Sequence, residues 1–286
     1  MKLYHYTTLE SLALILKSQT IKFNRLDCVD DVEEGNAESA GVNLSKYMFV
    51  SCWTENSEES IPLWKLYAGD GFGVRLSLDS DMFMKYLICH EEGDPLNIQG
   101  AIISRVPKET LLNPNFFVFP PQIISSDEKY DMFFRKVEYV DDVKSYVDKL
   151  ISHSDNSRGV PETRIEFGKV GKYKHRRWAF QEEVRFVLGI FPGNWLYLRG
   201  DNVHMAIQAI LNNQTVDFTS FFLHLSPEVM ETMEITLSPS ATKSHRILVD
   251  ALCEKYAPKA TVRDSGIKNL VKLKKRNKFV TILIRD

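Results

Sequence analysis

What most constrains the fold of this chain is the order in which strand-like and helix-like segments follow one another. Alternating or short continuous apolar runs predict strands near residues 2–6, 20–23, 47–53, 72–78, 98–106, 136–140, 184–190, 195–198, 221–224, 233–237 and 279–284. Apolar residues at helical spacing predict helices over 9–17, 79–89, 142–152 and 243–256. A short helix is expected at 61–68, and a longer one through 162–174 that Gly168 and Gly171 weaken. Strands and helices are mixed without a regular β-α-β rhythm. That order excludes a doubly wound parallel sheet and predicts an α+β protein with mixed, mostly antiparallel sheets flanked by helices. The reading is one α+β domain with insertions over residues 1–286, with the polar stretch 154–161 (SDNSRGVP) as a flexible loop. Residues 113–121, rich in proline and phenylalanine, read as an irregular connection.

Composition narrows the class of function. With 44% hydrophobic and 26% charged residues, a chain of 286 residues has the make-up of an ordinary globular protein with a sizeable core. A net charge of -2 gives no global field that selects nucleic acid or anionic lipid. Cys28, Cys52, Cys89 and Cys253 form no C-x-x-C pair, so reduced thiols are expected rather than a zinc site or disulfide framework. No apolar run reaches bilayer length and no signal peptide is visible, so a cytoplasmic protein without a membrane partner is expected.

Residues Leu3 to Thr7 read LYHYT. Alternation on a strand puts Leu3, His5 and Thr7 on one face and Tyr4 and Tyr6 on the other. Thr7 and Glu10 have the T-x-x-E spacing of a capping box, and Leu9, Leu12, Ile15 and Leu16 follow. His5 is therefore expected at a strand end, beside a helix N-terminus that suits polar and anionic groups.

Two further stretches carry chemistry. In FVSCWTE, Ser51, Trp53 and Glu55 share a strand face; in the IPLWKLYAGDGFG that follows, Trp64 and Tyr67 share a helix face. One reading is core aromatics ahead of a tight turn; the other is an aromatic wall for a flat ring, with glycines permitting close approach. In WAFQEEVRFVL, Gln181, Glu183 and Arg185 share a strand face, just after a basic cluster of Lys169, Lys172, Lys174, His175, Arg176 and Arg177. Either this is a solvated, charge-balanced strand edge, or Arg185 orients a functional Glu183 carboxylate beside a phosphate-attracting patch.

The remaining charge runs read as surface. The acidic run from Asp27 to Glu38 lacks the order of a calcium loop and reads as a solvated helix start. The basic run from Lys268 to Lys278 reads as a soluble hairpin. The other histidines show no ligand spacing, and no metal motif is present.

Taken together, these stretches resemble a mainly bacterial family, domain of unknown function 2971. Its pieces are matched here by LYHYT, FVSCWTE, Trp64 with Tyr67, and the strand from Gly73 to Asp79. The family's central W-x-Y-E-x-E-x-R is matched by Trp178, Phe180, Gln181, Glu183 and Arg185, with Phe180 in place of tyrosine and Gln181 in place of the first glutamate. Late segments from Ile235 to Pro239, Thr242 to Tyr256 and Val262 to Ser265 also look similar. More remotely, the H-Y-T strand and late glutamate resemble the ADP-ribosyltransferase plan. That resemblance implies NAD as substrate and ADP-ribose transfer to a macromolecular acceptor, protein or nucleic acid, in a toxin or phage-defence setting. It implies that His5, with Tyr6 and Thr7, contacts the ribose and that Glu183 is the catalytic carboxylate. Trp64 or Tyr67, with Trp53 behind them, would stack on nicotinamide. Arg75 and Arg185 would meet the pyrophosphate. The alternatives are a non-enzymatic module that binds a nucleotide or a partner, and a nucleic-acid-processing enzyme using the two basic patches.

Overall fold

In the computed structural model, residues 1–69, 71–89, 101–119, 133–155, 161–194, 203–271 and 273 are described. They form an α+β protein with mostly antiparallel sheets and flanking helices. The chain divides into two compact units. One comprises Met1–Gln19, Asn56–Ser80 and Glu228–Asp286; the other comprises Thr20–Glu55 and Asp81–Pro227.

The first unit is organised by a short ladder. Lys2–Thr7 pairs antiparallel with Val74–Asp79, placing Tyr6 opposite Arg75, His5 opposite Leu76 and Tyr4 opposite Ser77. Val74–Asp79 pairs antiparallel with Glu234–Leu237, which pairs in parallel with Thr261–Arg263. The register sorts the side chains into two sets. Leu3, Val74, Leu76, Leu78, Ile235 and Leu237 fall on one face and are all buried. Tyr4, Tyr6, Arg75, Ser77 and Thr236 fall on the other and are buried as well. A buried polar face on a sheet is unusual, because each polar group there must find a partner away from water.

The helix Leu9–Ser18 buries Leu12, Ile15 and Leu16. Its cap is Thr8, whose hydroxyl accepts from the Ser11 amide at 3.2 Å, rather than Thr7 with Glu10. Thr7 is the last strand residue, paired with Val74, and the helix begins at Leu9, so the cap position falls one residue later, on Thr8. Gln19, left-handed at φ 53°, ends this helix. The helix Lys243–Tyr256 is opened by a reciprocal cap between Thr242 and His245, and the His245 ring stacks on Phe72 at 4.5 Å.

In the second unit the strand Glu183–Pro192 is buried along nearly its whole length. Met48–Thr54 pairs with it antiparallel; Phe134–Lys136 and Phe116–Phe119 also pair with it, at its start and its end. Thr20–Arg25 joins Met48–Thr54, and Ser220–His224 joins Thr20–Arg25. Phe23, Phe83, Phe133 and Phe186 pack ring against ring at 4.9–6.2 Å and fill this core.

Several sequence expectations change here. Residues 79–89 are not a helix. The backbone at Met82 and Met84 bonds to Ser226 and His224, and Tyr86–Cys89 then forms a hairpin with Ala101–Ser104. Residues 142–152 hold only the single turn Lys144–Val147, after which Ile151–Asp155 pairs with Pro161–Ile165. That hairpin replaces the start of the helix expected over 162–174. Gly171, at φ +69°, turns the chain into the short strand Tyr173–His175. The expected irregular connection at 113–121 contains the strand Phe116–Phe119, which bonds to Gly189–Pro192. Of the expected loop at 154–161, Ser154 and Asp155 belong to a strand, and 156–160 lie outside the described residues. The expected strands at 195–198 and 279–284 also lie outside them.

Candidate functional site

Two buried polar clusters, one in each unit, hold most of the residues singled out from the sequence. They differ in how completely their polar atoms are paired.

The cluster of the second unit surrounds Arg185, which is fully enclosed. Its Nε donates to Glu183, its Nη1 donates to Glu34 and to the Gly171 carbonyl, and its Nη2 donates to Glu34 at 2.9 Å. The Gly171 carbonyl lies 2.9 Å from Nη1, and a side chain at that position would run into Leu26 at 2.9 Å. Lys174 donates to Gln181 at 2.8 Å and to Glu183 at 3.1 Å, and lies 3.8 Å from Glu34. The Lys174 ammonium also sits 4.9 Å from the centre of the Trp178 ring. Two carboxylates and two cations are thus closed on one another. Burial pushes the Glu183 carboxyl up, but the charges of Arg185 and Lys174 and the Arg185 hydrogen bond outweigh it and hold the group at about 2. The Glu183 amide donates to the Tyr139 hydroxyl at 2.9 Å, and burial pushes that phenol up to about 12.

Glu183 and Arg185 therefore meet as the sequence suggested, but the strand edge read as solvated is core. Glu34, placed by the sequence reading in a solvated acidic run, is 2% exposed and is the main partner of Arg185. Glu34 is the residue that the sequence does not point to, and Lys174, expected in a phosphate-attracting patch, is instead a buried ion-pair partner of Glu183. A usable signal existed: Glu183 and Arg185 interrupt an otherwise apolar strand, and charges on a core strand require buried partners elsewhere.

The first unit holds the second cluster. The Arg75 guanidinium, 4% exposed, lies 4.6 Å from the centre of the Tyr4 ring and 5.9 Å from that of Tyr6. Its Nη1 donates to the Ser57 carbonyl at 2.8 Å. Arg75 also acts on the Tyr6 hydroxyl and lowers its pKa against burial. Among the described residues its Nε and the Ser77 hydroxyl, both buried, have no hydrogen-bond partner. Tyr6 accepts from the Ser60 amide at 2.9 Å, and burial raises its phenol pKa. Trp64, fully buried, meets the Tyr6 ring edge-on at 4.9 Å and donates through Nε1 to Glu59 at 3.0 Å. Glu59 also accepts from the Ser265 hydroxyl and the Gly266 amide, each at 2.6 Å. Tyr67 is half-buried against the same cluster.

The structure thus brings Tyr6, Trp64 and Arg75 together and separates His5 and Thr7 from them by the thickness of the sheet. His5, half-buried, is on the side of Leu3 and Leu76, whereas Tyr6 and Arg75 form a cross-strand pair on the other side. Trp64 is fully buried and packs as core with Tyr6, Leu63, Ala68 and Leu273. Trp53, also buried, is core in the second unit, where it donates to Ser51 at 2.9 Å and meets Phe186 edge-on. Ser77 is a further site residue that the sequence reading passed over.

Among the described residues, no group of three or more His, Cys, Asp and Glu side chains could hold a metal ion, and no helix is long and apolar enough to cross a membrane. Comparison with known protein families, with curated proteins and with solved structures finds no match.

Proposed function

We propose that the chain binds a nucleotide-like ligand on the polar face of the first unit's sheet, with Arg75 receiving its anionic group and the Tyr4 and Tyr6 rings flanking it. The observation that carries this reading is the pair of unpartnered donors, Arg75 Nε and Ser77 Oγ, two residues apart on one strand face. A buried guanidinium needs a counter-charge or acceptor, and an anionic oxygen that accepts from Nε and from a hydroxyl supplies both. Aromatic rings beside the cation favour a ligand that also carries a flat group. NAD is the first ligand to test, because the H-Y-T strand and the late glutamate resemble the ADP-ribosyltransferase plan. Calorimetry with NAD, ADP-ribose and ATP is expected to give binding that Arg75→Met weakens at least about tenfold, the scale of one charge-assisted hydrogen bond. Binding that is absent, or indifferent to Arg75→Met, rejects this reading.

ADP-ribose transfer to a macromolecule is the second reading. It is favoured by one observation, that Glu183 is held ionised, as a carboxylate stabilising a developing oxocarbenium must be. Against it, the Glu183 oxygens already accept from Arg185 and Lys174. Transfer would require Glu183 to leave those partners. Labelled NAD incubated with cell extract tests the step directly: neither label transfer nor nicotinamide release leaves the binding reading alone.

A further inference from the structure

In the second unit a strand edge and a cavity lie side by side. We propose that this edge takes up an extended peptide of a partner protein as an added strand, with apolar side chains at alternate positions. Among the described strands, Ser220–His224 pairs with Thr20–Arg25 alone. The Arg25 amide donates to the Thr219 carbonyl at 2.9 Å. In that register Thr219, Phe221 and Leu223 turn their backbone groups toward Thr20–Arg25, and Ser220, Phe222 and His224 turn theirs away. The far side agrees. There the His224 carbonyl accepts from the Met84 amide and the Ser226 amide donates to the Met82 carbonyl, each at 2.8 Å. The chain then departs into the Tyr86–Cys89 hairpin. It leaves the N–H and C=O of Ser220 and Phe222 without a partner among the described residues.

The cavity, about 320 Å³, is lined by all five residues from Ser220 to His224. Side chains on a strand alternate faces, so a space that meets five in a row lies along the edge and not over one face. Edge strands commonly repel other chains with lysine, proline or a bulge. Ser220–His224 reads SFFLH in unbroken register and has none of these. The chain itself shows what the edge accepts: the backbone at Met82–Met84 lies along it, with Phe83 bridged antiparallel to Leu225. A peptide continuing that row would meet Ser220 and Phe222. Its inward side chains would meet the rings of Phe116, Phe218 and Phe221, which pack on one another at 5.3–6.5 Å. Rings across a ladder favour β-branched or aromatic partners. Tyr86, Pro107 and Thr110 also bound the cavity. A single strand fits inside that wall, whereas a second copy pairing edge to edge would carry its own Tyr86 and Pro107 into the same space.

The test is calorimetry on the full chain with a capped peptide of about seven residues that alternates threonine and valine. It is expected to bind with a dissociation constant below about 1 mM. The same peptide with every backbone nitrogen methylated keeps its side chains but loses its donors, and is expected to bind at least about tenfold more weakly. Ser220→Pro, compared with Ser220→Ala, removes an outward N–H at the first residue of the strand, where proline is tolerated. It should weaken binding about fivefold relative to Ser220→Ala, the scale of one neutral hydrogen bond. Should the proline disturb the fold, hydrogen exchange in the native chain decides. The peptide should slow the Ser220 and Phe222 amides and leave the Phe221 amide, already in the ladder, unchanged. No binding at about 1 mM overturns the proposal. So does equal binding of the methylated peptide, equal binding by the two Ser220 variants, or unslowed exchange at Ser220 and Phe222. If those amides become protected without peptide, as the chain dimerises with rising concentration, a second copy takes the edge and the peptide proposal falls.

Discussion

Arg75 and Arg185 are both buried on strands, each near a carboxylate or an aromatic ring, and they keep opposite company. Arg185 donates to two glutamates and a carbonyl, while Lys174 ties the same glutamates together. Arg75 donates to the Ser57 carbonyl, lies over two tyrosines and leaves Nε without a partner among the described residues. The first arrangement is closed, and any ligand would have to compete with ion pairs already formed in a desolvated place. The second is incomplete in the one direction where an anion helps. Burial and charge therefore do not by themselves mark a site; the accounting of donors does.

The largest effect should come from breaking the closed cluster. Arg185→Met leaves Glu34 and Glu183 buried with only Lys174 between them, and urea unfolding should show a loss of about 3–5 kcal/mol. Arg75→Met removes one hydrogen bond and two ring contacts but also removes an unpartnered donor, so its cost should be about 1 kcal/mol. Equal costs at the two positions would collapse the distinction between a structural and a receptive arginine.

Acid should separate the clusters next. Glu183 has an ordinary value of 4.5 and is held at about 2 in the folded protein. A depressed carboxyl contributes its stability above the unfolded value and loses it as pH falls through the folded one. The stability gap between the native chain and Glu183→Gln should therefore be constant above about pH 6 and shrink by about 3 kcal/mol on the way to about pH 2. A gap that stays flat over that window would mean the Arg185 and Lys174 pairs do not act on Glu183 as the geometry requires.

How much of this was legible in the sequence differs between the two clusters. Short apolar runs located the strand of Tyr4 and Tyr6 and the strand of Glu183 and Arg185, because a strand buried on both faces carries apolar residues almost without interruption. Helical spacing located the helix Lys243–Tyr256. Pairing was not legible. That Arg75 stands opposite Tyr6 is a matter of register between strands nearly seventy positions apart, and nothing local encodes it. Glu34 was lost in a run of acids that looks solvated, since only the strand it approaches makes one of those acids a core residue. The helix expected at 79–89 failed because tertiary bonds to His224 and Ser226 captured a segment whose local pattern suits either state. His5 was placed on the correct strand, but alternation already set it on the face opposite Tyr6, and the sequence reading joined the two in one site against that alternation.

The smallest expected effect is the most discriminating. Ser77 is 2% exposed and its hydroxyl has no partner among the described residues, an arrangement that costs stability in the free protein. Ser77→Ala should be neutral or stabilising by up to about 1 kcal/mol, where a buried, hydrogen-bonded serine would lose a similar amount. If Arg75 and Ser77 together receive an anion, the same substitution should weaken nucleotide binding by about fivefold, the scale of one neutral hydrogen bond. Opposite signs in unfolding and in binding would identify the hydroxyl as held in reserve for a ligand. A loss in both would mean that Ser77 has a structural partner, and the first unit's cluster would then be as closed as the second's.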